Sequence, residues 1–216
     1  MGNPGNRPIL FISDVHCQYG LINVQIEHAE KQIGTEVSEV IILGDFGFFE
    51  PVLRKYFRRD RHVFLRPVRF IEGNHEDYHD LAVYVDAYAD CLRHLPRGTV
   101  EAIGDYRVLC LGGTAYMDAM MTPEAAEIHD ADIDRCLEHD ASSVDIIITH
   151  DCPSGIGVPN TPGFEMYGEP GFPRSGELSA RFRPALWVFG HHHKWFDVER
   201  DGTRDLGLPE SWNGYG

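Results

Sequence analysis

Five short apolar runs in the sequence each end in a polar residue of a type that binds metal ions. The polar segments that follow these runs are Asp14-Val15-His16, Asp45, Asn74-His75, His150 and His191-His192-His193. Imidazole nitrogens with carboxylate and amide oxygens, and without a thiolate, suit Mn, Fe, Zn, Ni or Co better than Ca or a structural zinc site. Water bound to such an ion ionises at a pKa of roughly 7 rather than ~15.7, which makes hydroxide available at neutral pH. The residues therefore predict a hydrolytic metal site.

The spacing within two of these segments suggests how one ion could be held by a pair of side chains. Asp14 and His16 are two residues apart, as are His191 and His193. In an extended backbone, residues i and i+2 face the same way, so each pair can bind one ion together. The residue between them points elsewhere, which makes His192 either a spacer or a substrate contact.

Alternating strand and helix patterns supply the framework that would position these residues. Apolar β-branched and aromatic runs predict buried strands at residues 9–13, 40–43, 68–71, 107–111, 145–149 and 186–189. Helical patterns cover residues 21–33, 52–59, 78–90 and 123–139. This alternation is typical of an α/β layer fold with much parallel pairing. Ligands of such sheets collect at the carboxyl ends of the strands, so the five polar ends should meet at one rim.

The length and composition are those of one globular domain. The 216 residues are 43% hydrophobic and 25% charged, which predicts a single domain over residues 1–216. The five cysteines are odd in number and include no C-x-x-C pair, which argues against a disulfide framework and a zinc-thiolate site. No apolar run reaches the length of a signal-peptide core or a membrane span, so we expect a cytoplasmic protein without a membrane partner.

The charge distribution bears on the partners that the chain can have. A formal net charge of −15 opposes binding to a nucleic-acid backbone, so nucleic acid is not an expected partner. Seven basic residues from Arg54 to Arg69 could steer an anionic substrate, but such a run is more often a solvated helix face. The proline-rich stretch over residues 151–175 is either an ordered surface loop or a substrate lid.

In their order along the chain, the polar motifs resemble those of the calcineurin-like metallophosphoesterases. The matching motifs are Asp14-x-His16, Gly44-Asp45, Gly73-Asn74-His75-Glu76, His150 after a strand, and Gly190-His191-x-His193. The resemblance spans most of the chain and implies an α/β fold, a four-layer sandwich of two mixed β-sheets flanked by helices. It also implies two divalent metal ions, and the side chains that would hold them are Asp14, His16, Asp45 and His193 for one ion and Asp45, Asn74, His150 and His191 for the other. Asp45 would then bridge the two ions, and the glycines before the ligands would give the backbone freedom to turn.

The resemblance further implies a reaction, the hydrolysis of phosphate monoesters or diesters by a hydroxide that bridges the two ions. Asp45 and His75 would be the catalytic residues, with His75 donating a proton to the leaving oxygen, a contribution of typically ~10² to 10⁴-fold. The substrate would be a small phosphate ester or a nucleotide-like molecule. Many members carry an acid three residues after the bridging aspartate to orient this histidine, whereas this chain carries Phe48. Glu72 and Phe49 lie near the positions where the protein Ser/Thr phosphatase branch has arginines, which argues against a close relative of that branch.

Two other functions are compatible with the same motifs. A catalytically inactive scaffold or binding protein could share the fold, but it would not need the full set of ligands. A nuclease would share the chemistry, but the acidic balance and the lack of an extended basic groove argue against it. The sequence leaves open the substrate, the metal and the oligomeric state.

Overall fold

The computed structural model describes residues 7–115, 117 and 120–212. Residues 1–6, 116, 118–119 and 213–216, which belong to the predicted domain over residues 1–216, lie outside the described residues. The strands are β1 (Ile9–Ile12), β2 (Glu39–Leu43), β3 (Val68–Ile71), β4 (Arg93–His94), β5 (Thr99–Ile103), β6 (Tyr106–Leu111), β7 (Ile146–Thr149), β8 (Leu186–Phe189), β9 (Phe196–Arg200) and β10 (Thr203–Gly207). The helices are α1 (Gly20–Ile33), α2 (Glu50–Leu53), α3 (Leu81–Ala87), α4 (Asp130–Leu137) and α5 (Ser175–Phe182). Among these described helices, none is both long enough and apolar enough to cross a membrane.

The strands form two sheets of different character. The smaller sheet has the order β1-β2-β3-β4, and its strand pairs are all parallel. The larger sheet has the order β5-β6-β7-β8-β10-β9, in which β5 and β9 are antiparallel edge strands. The predicted pair of sheets flanked by helices is confirmed, but among the described strands only the larger sheet is mixed. The reason lies in the connections, because long crossovers return the chain parallel while the two tight hairpins, β5–β6 and β9–β10, reverse it.

The strand β2 shows how the layers of the sandwich pack. All five of its residues are buried. Val40 and Ile42 lie in an apolar cluster with residues of α1, whereas Ile41 and Leu43 lie in a second cluster that contains residues of both sheets. β7 repeats this pattern, since its isoleucines alternate between that second cluster and a third one that includes residues of α4 and α5. Strands buried on both faces appear in a sequence as continuous apolar runs, which is why these strands are predictable.

Several elements differ from the sequence-based expectation. The six predicted strands are present as β1, β2, β3, β6, β7 and β8, but the sequence does not predict β4, β5, β9, β10 or α5. Half-buried and exposed residues alternate along β9 at the edge of its sheet, so its sequence contains polar side chains and no continuous apolar run from which a strand could be predicted. The predicted helix over residues 52–59 begins two residues earlier as α2 and continues as a π-helical segment, Arg54–Arg59. The predicted helix over residues 78–90 is reduced to α3.

The helix predicted over residues 123–139 is divided into two parts. A short 3-10 turn, Glu124–Ala126, follows Pro123, and α4 begins only at Asp130. The backbone N–H of His129 donates a hydrogen bond of 3.0 Å to Asp132 Oδ2 at the start of α4. This local capping interaction gives α4 its own beginning, so the apolar periodicity across the whole range does not correspond to one helix.

Candidate metal centre

The structure brings together the five polar segments that follow strands and that were expected at one rim. Asp14, Asp45 and Asn74 follow β1, β2 and β3 of the smaller sheet. His150 and His191 follow β7 and β8 of the larger sheet. Two groups of ligand atoms result, and within each group all the atoms lie within 4.8 Å of one another. The first ligand group consists of Asp14, His16, Asp45 and His193, and the second consists of Asp45, His150 and His191.

The first ligand group surrounds the carboxylate of Asp14, which is fully buried. Its Oδ1 lies 3.1 Å from Nε2 of His193 and 3.9 Å from Nε2 of His16. The same nitrogen of His16 lies 3.7 Å from Asp45 Oδ2. The other oxygen of Asp14, Oδ2, accepts a hydrogen bond of 3.0 Å from the backbone N–H of His191. One oxygen of Asp14 is therefore held by the backbone, and the other faces the imidazoles as a metal ligand should.

The second ligand group is built around His150, which is also fully buried. Its Nδ1 lies 2.7 Å from the carbonyl oxygen of Leu43, so Nδ1 donates its proton there and Nε2 faces the site. Nε2 lies 3.4 Å from Asp45 Oδ1 and 3.1 Å from the amide oxygen of Asn74. The Asn74 Nδ2 donates a 2.9 Å hydrogen bond to the carbonyl oxygen of Met121, which leaves the amide oxygen turned towards His150. Backbone acceptors thus orient both side chains.

The carboxylate of Asp45 belongs to both groups. Its Oδ1 faces His150 and its Oδ2 faces His16, so one side chain reaches both sides of the site. Oδ1 also accepts a 2.8 Å hydrogen bond from the backbone N–H of His75. A carboxylate placed between two ligand groups is what a bridge between two neighbouring ions requires.

The backbone is left-handed at five of the seven predicted ligands, including both members of each pair, which corrects the expectation of extended pairs. The φ angles are +52° at Asp14, +44° at His16, +49° at Asp45, +64° at His191 and +54° at His193. Each pair therefore converges through turns that follow the strand, and not through the alternation of an extended chain. Non-glycine residues in this region cost of order 1–3 kcal/mol each, and they cluster at functional sites.

The three glycines before the ligands serve two different purposes. Gly44 has a φ of +85°, and a Cβ at this position would overlap the ring of His150. Gly73 and Gly190 do not have a positive φ. A Cβ at Gly73 would instead overlap Asp45, and one at Gly190 would meet the turn that follows β1. The expectation of backbone freedom is thus wrong for these two glycines, which are small because other parts of the site approach them closely.

His75 lies at the exposed edge of the site, with its ring centroid 5.2 Å from that of His16. The acid that follows it, Glu76, is buried and accepts hydrogen bonds from the backbone N–H groups of Phe46 (2.9 Å) and Phe48 (2.5 Å). Glu76 therefore braces the turn after β2 and does not orient His75. Phe48 packs in the apolar cluster beside α1, where an acid would be buried without a partner.

Burial and nearby carboxylates set the charges of the histidines. Burial lowers the pKa of His191 to about 4, so its ring is neutral at pH 7 and in the form that binds metal. Burial also opposes a charge on His150, but the carboxylates of Asp45 and Asp14 outweigh it and raise the pKa of His150 to about 10. Burial likewise opposes the charge of Asp45, and the imidazoles, His150 first, hold the pKa of Asp45 well below its ordinary range. In the metal-free protein, a protonated His150 thus balances Asp45, and a bound cation would displace that proton.

A third group that sequence reasoning missed lies beside the second, and it consists of Asp151, Cys152 and His192. The buried Asp151 carboxylate accepts hydrogen bonds from His192 Nε2 (2.8 Å) and from the backbone N–H groups of Ala115 (2.9 Å) and Cys152 (2.7 Å). Burial raises the pKa of the Cys152 thiol far above its ordinary value, so it is not a thiolate ligand. Because the carboxylate of Asp151 already accepts these hydrogen bonds, this group holds the ring of His192 in place. The one feature of the sequence that could have indicated this group is the acid directly after His150.

A cavity of about 480 Å³ opens beside the two ligand groups. Its lining includes Asp45, Asn74 and His75 at the metal centre and Phe164 and Tyr167 from the stretch over residues 151–175. This stretch therefore forms one wall of the cavity, as either an ordered surface loop or a substrate lid would.

Lys194 links the cavity wall formed by the stretch over residues 151–175 to the metal centre. It directly follows His193, and its Nζ donates hydrogen bonds of 2.9 Å to the carbonyl oxygens of both Pro159 and Asn160. The position of the wall is thus coupled to the turn that carries two of the predicted ligands.

A family model described as calcineurin-like phosphoesterase matches residues 7–195. The chain belongs to this family. Membership implies a phosphoester hydrolase that uses divalent metal ions, and the two ligand groups could hold such ions. Their donors are imidazole and carboxylate atoms, including the neutral ring of His191 and the oriented Nε2 of His150, and the amide oxygen of Asn74 lies 3.1 Å from that Nε2. The chemistry of the site therefore fits this requirement.

Solved structures share the fold of this calcineurin-like phosphoesterase. TT1561 of Thermus thermophilus has a TM-score of 0.65 at 14% identity, over 95% of this chain and 90% of that chain. Phosphopantetheinyl hydrolase (PptH) from Mycobacterium tuberculosis has a TM-score of 0.62 at 14% identity, over 98% of this chain and 93% of that chain. A putative 5′-nucleotidase from Staphylococcus aureus has a TM-score of 0.57 at 16% identity, over 94% of this chain and 48% of that chain. No curated protein matches the chain.

Proposed function

We propose that the chain is a metal-dependent phosphoesterase that hydrolyses phosphate monoesters or diesters. The observation that carries this proposal is the carboxylate of Asp45, which reaches both ligand groups at once. With Asp45 in common, the side chains that would hold two divalent ions, of Mn, Fe, Zn, Ni or Co, are Asp14, His16 and His193 on one side and Asn74, His150 and His191 on the other. When bound, such ions polarise phosphoryl oxygens and lower the pKa of coordinated water to roughly 7.

The local charge of the site would favour an anionic substrate despite the net charge of −15. Two divalent cations beside the carboxylates of Asp14 and Asp45 would leave about two positive charges at the carboxyl ends of the strands. A phosphate group entering the cavity would meet this charge and not the acidic outer surface. The chain thereby combines an acidic exterior with an anion-binding centre.

His75 would donate a proton to the oxygen of the leaving group. It contributes no atom to either ligand group, it is exposed, and it lines the end of the cavity at the metal centre. Its backbone N–H is held by Asp45, so its position is tied to that of the bridging carboxylate. A proton donor matters most for a leaving group that is unstable as an anion.

We expect the substrate to be a small phosphate ester with an apolar or aromatic leaving group, such as a nucleotide. The cavity volume of about 480 Å³ falls within the range of small-molecule sites. Phe164 and Tyr167, with ring centroids 5.8 Å apart, and the side chains of Met117 and Met121 supply apolar surface around it. Two similar structures carry the names phosphopantetheinyl hydrolase and putative 5′-nucleotidase, which are compatible with a phosphate-containing substrate.

Turnover of aryl phosphate monoesters and diesters, and then of nucleotides, with each of several divalent metals tests the proposal. We expect activity that depends on added metal and that falls to background in Asp45→Asn, which keeps the size of the side chain but removes its charge. Asp105→Asn, in the exposed turn between β5 and β6, is the matched control and should retain full activity. Wild-type protein that stays metal-free and inactive after attempted reconstitution would favour the scaffold alternative.

Substitution of His75 tests its separate role. His75→Ala should slow esters with poor leaving groups much more than esters with good ones, because only the former need protonation. Equal losses on both classes of ester would show that His75 does not donate the proton.

The nuclease alternative has less support from the surface of the chain. The basic run from Arg54 is largely paired with acids, since Arg58 lies 2.7 Å from Asp90 and Arg54 lies 3.1 Å from Glu50. Paired charges make a weak electrostatic track for a nucleic-acid backbone. Hydrolysis of oligonucleotides that weakens steeply with added salt would reverse this judgement.

A further inference from the structure

The segment that follows β10, residues 208–212, lies against the Asp14 side of the metal centre. The backbone N–H of Ser211 donates a 3.4 Å hydrogen bond to the carbonyl oxygen of Asp14, and Glu210 forms a parallel bridge with Ser13. The side-chain amide of Gln25 in α1 donates to the carbonyl oxygen of Ser211. These contacts fix the segment beside the turn after β1, although it lies outside residues 7–195, which the family model matches.

Two side chains of this segment contact histidines of the first ligand group. Oε2 of Glu210 lies 3.8 Å from Nδ1 of His193. The ring of Trp212 lies with its centroid 5.7 Å from that of His16. Glu210 is buried, whereas Trp212 is partly exposed and covers the outer side of the group. The segment therefore supplies both a charge and an apolar cover to one side of the centre.

His193 presents its two ring nitrogens to two different carboxylates. Nε2 lies 3.1 Å from Asp14 Oδ1, where the ligand atoms gather, and Nδ1 faces Glu210. Histidines that bind metal through one nitrogen usually donate the other ring N–H to a carboxylate or carbonyl, which fixes the tautomer and the ring orientation. His150 has such a partner in the carbonyl oxygen of Leu43. Glu210 occupies the corresponding place for His193.

We propose that Glu210 is a positioning residue for His193 and that it sets the affinity of the site for the ion on the Asp14 side. This inference rests on the proposed function, because it requires that ion. The separation of 3.8 Å is longer than a hydrogen bond but within the range of an ion pair, so the carboxylate acts through charge and through the orientation of the ring. Glu210 thus joins the surroundings of the metal centre from a segment that carries none of the polar motifs.

Calorimetric titration of the full chain with Mn²⁺, after removal of metal by a chelator, tests the proposal. We expect wild-type protein to bind two ions, and Glu210→Ala to bind one of them about 10- to 100-fold more weakly with the other unchanged. Glu210→Gln, which keeps the size of the side chain but removes its charge, should weaken the same ion, because at 3.8 Å the carboxylate acts through its charge. Glu199→Ala, an exposed acid of β9, is the control and should bind both ions as the wild type does.

A double-mutant cycle separates this role from a merely structural one. In a His193→Ala background, Glu210→Ala should cause no further loss of affinity, because Glu210 acts through that ring. A further loss in this background would overturn the proposal, and so would unchanged Mn²⁺ affinity in Glu210→Ala. If Glu210→Ala does not fold in chelator, the same double-mutant cycle is measured with Glu210→Gln in its place. Wild-type protein that binds no divalent ion would overturn the proposed function itself, whereas normal binding by wild type and variant alike would overturn only the role of Glu210.

Discussion

Replacement of Gly44 by alanine should weaken both the fold and the metal centre. Gly44 follows β2 with a φ of +85°, and a Cβ there would lie 2.5 Å from Cγ of His150 and 2.9 Å from Cα of Gly73. The left-handed backbone costs an alanine roughly 1–2 kcal/mol. Forcing packed neighbours apart adds about 1–3 kcal/mol. We therefore expect the free energy of unfolding to fall by ~2–5 kcal/mol in Gly44→Ala.

Gly202→Ala is a closely matched control for this experiment. Gly202 lies in the turn between β9 and β10 with a φ of +83°, and a Cβ there would meet nothing within 4 Å. Its substitution should cost only the backbone contribution, roughly 1–2 kcal/mol. Urea unfolding in chelator measures the two losses, and Mn²⁺ titration measures the displacement of His150. Equal losses in the two variants, or an unchanged Mn²⁺ affinity in Gly44→Ala, would refute the packing argument.

Three further perturbations test separate parts of the structure. Burial opposes the charge of Glu72, but its hydrogen bond to His94 and the guanidinium of Arg97 outweigh burial and lower the pKa of Glu72 from 4.5 to about 2. The Glu72 carboxylate therefore contributes roughly 3 kcal/mol to the free energy of unfolding above pH 4.5, and this contribution is lost as the pH falls towards 2. The free energies of unfolding of wild type and Glu72→Gln should converge over this range. A difference that stays constant with pH would contradict the assignment. Lys194→Met should accelerate amide exchange at Asn160 and Thr161 and raise KM while both ions stay bound, and unchanged exchange and KM would show that the lysine does not hold this stretch in place. His191→Ala should lose one of two bound ions with little change in the melting temperature in chelator, and global unfolding would instead mark His191 as structural.

The framework of the site was predictable because it depends on buried strands. β2 and β7 are covered on both faces, so their sequences are continuous apolar runs, and the polar residues that follow them are conspicuous. Parallel pairing aligns the strand ends within each sheet, and the packing of the two sheets against each other brings Asp45, which follows β2, and His150, which follows β7, to the same rim. The sandwich of two sheets and the family were implied by the resemblance of the polar motifs that follow these strands. The single domain over residues 1–216 and the cytoplasmic location remain predictions from the sequence.

The remaining features depend on tertiary contacts that leave no local pattern. The left-handed backbone at His16 and His193 arises where tight turns bring them to their partners, and neither residue type predicts it. Glu210 reaches His193 only because β9 and β10 fold back beside β8, and β9 is itself hidden by its polar side chains. Asp151 looks like any acid after a strand until its contact with His192 is known.

The central claim is that two ions share the carboxylate of Asp45, and anomalous scattering from crystals of the protein grown with Mn²⁺ measures this most directly. We predict two anomalous peaks per chain, one among Asp14, His16 and His193 and the other among Asn74, His150 and His191, with an oxygen of Asp45 coordinating each. A single peak, two peaks that do not share Asp45, or Mn²⁺ bound elsewhere on the chain would contradict the account.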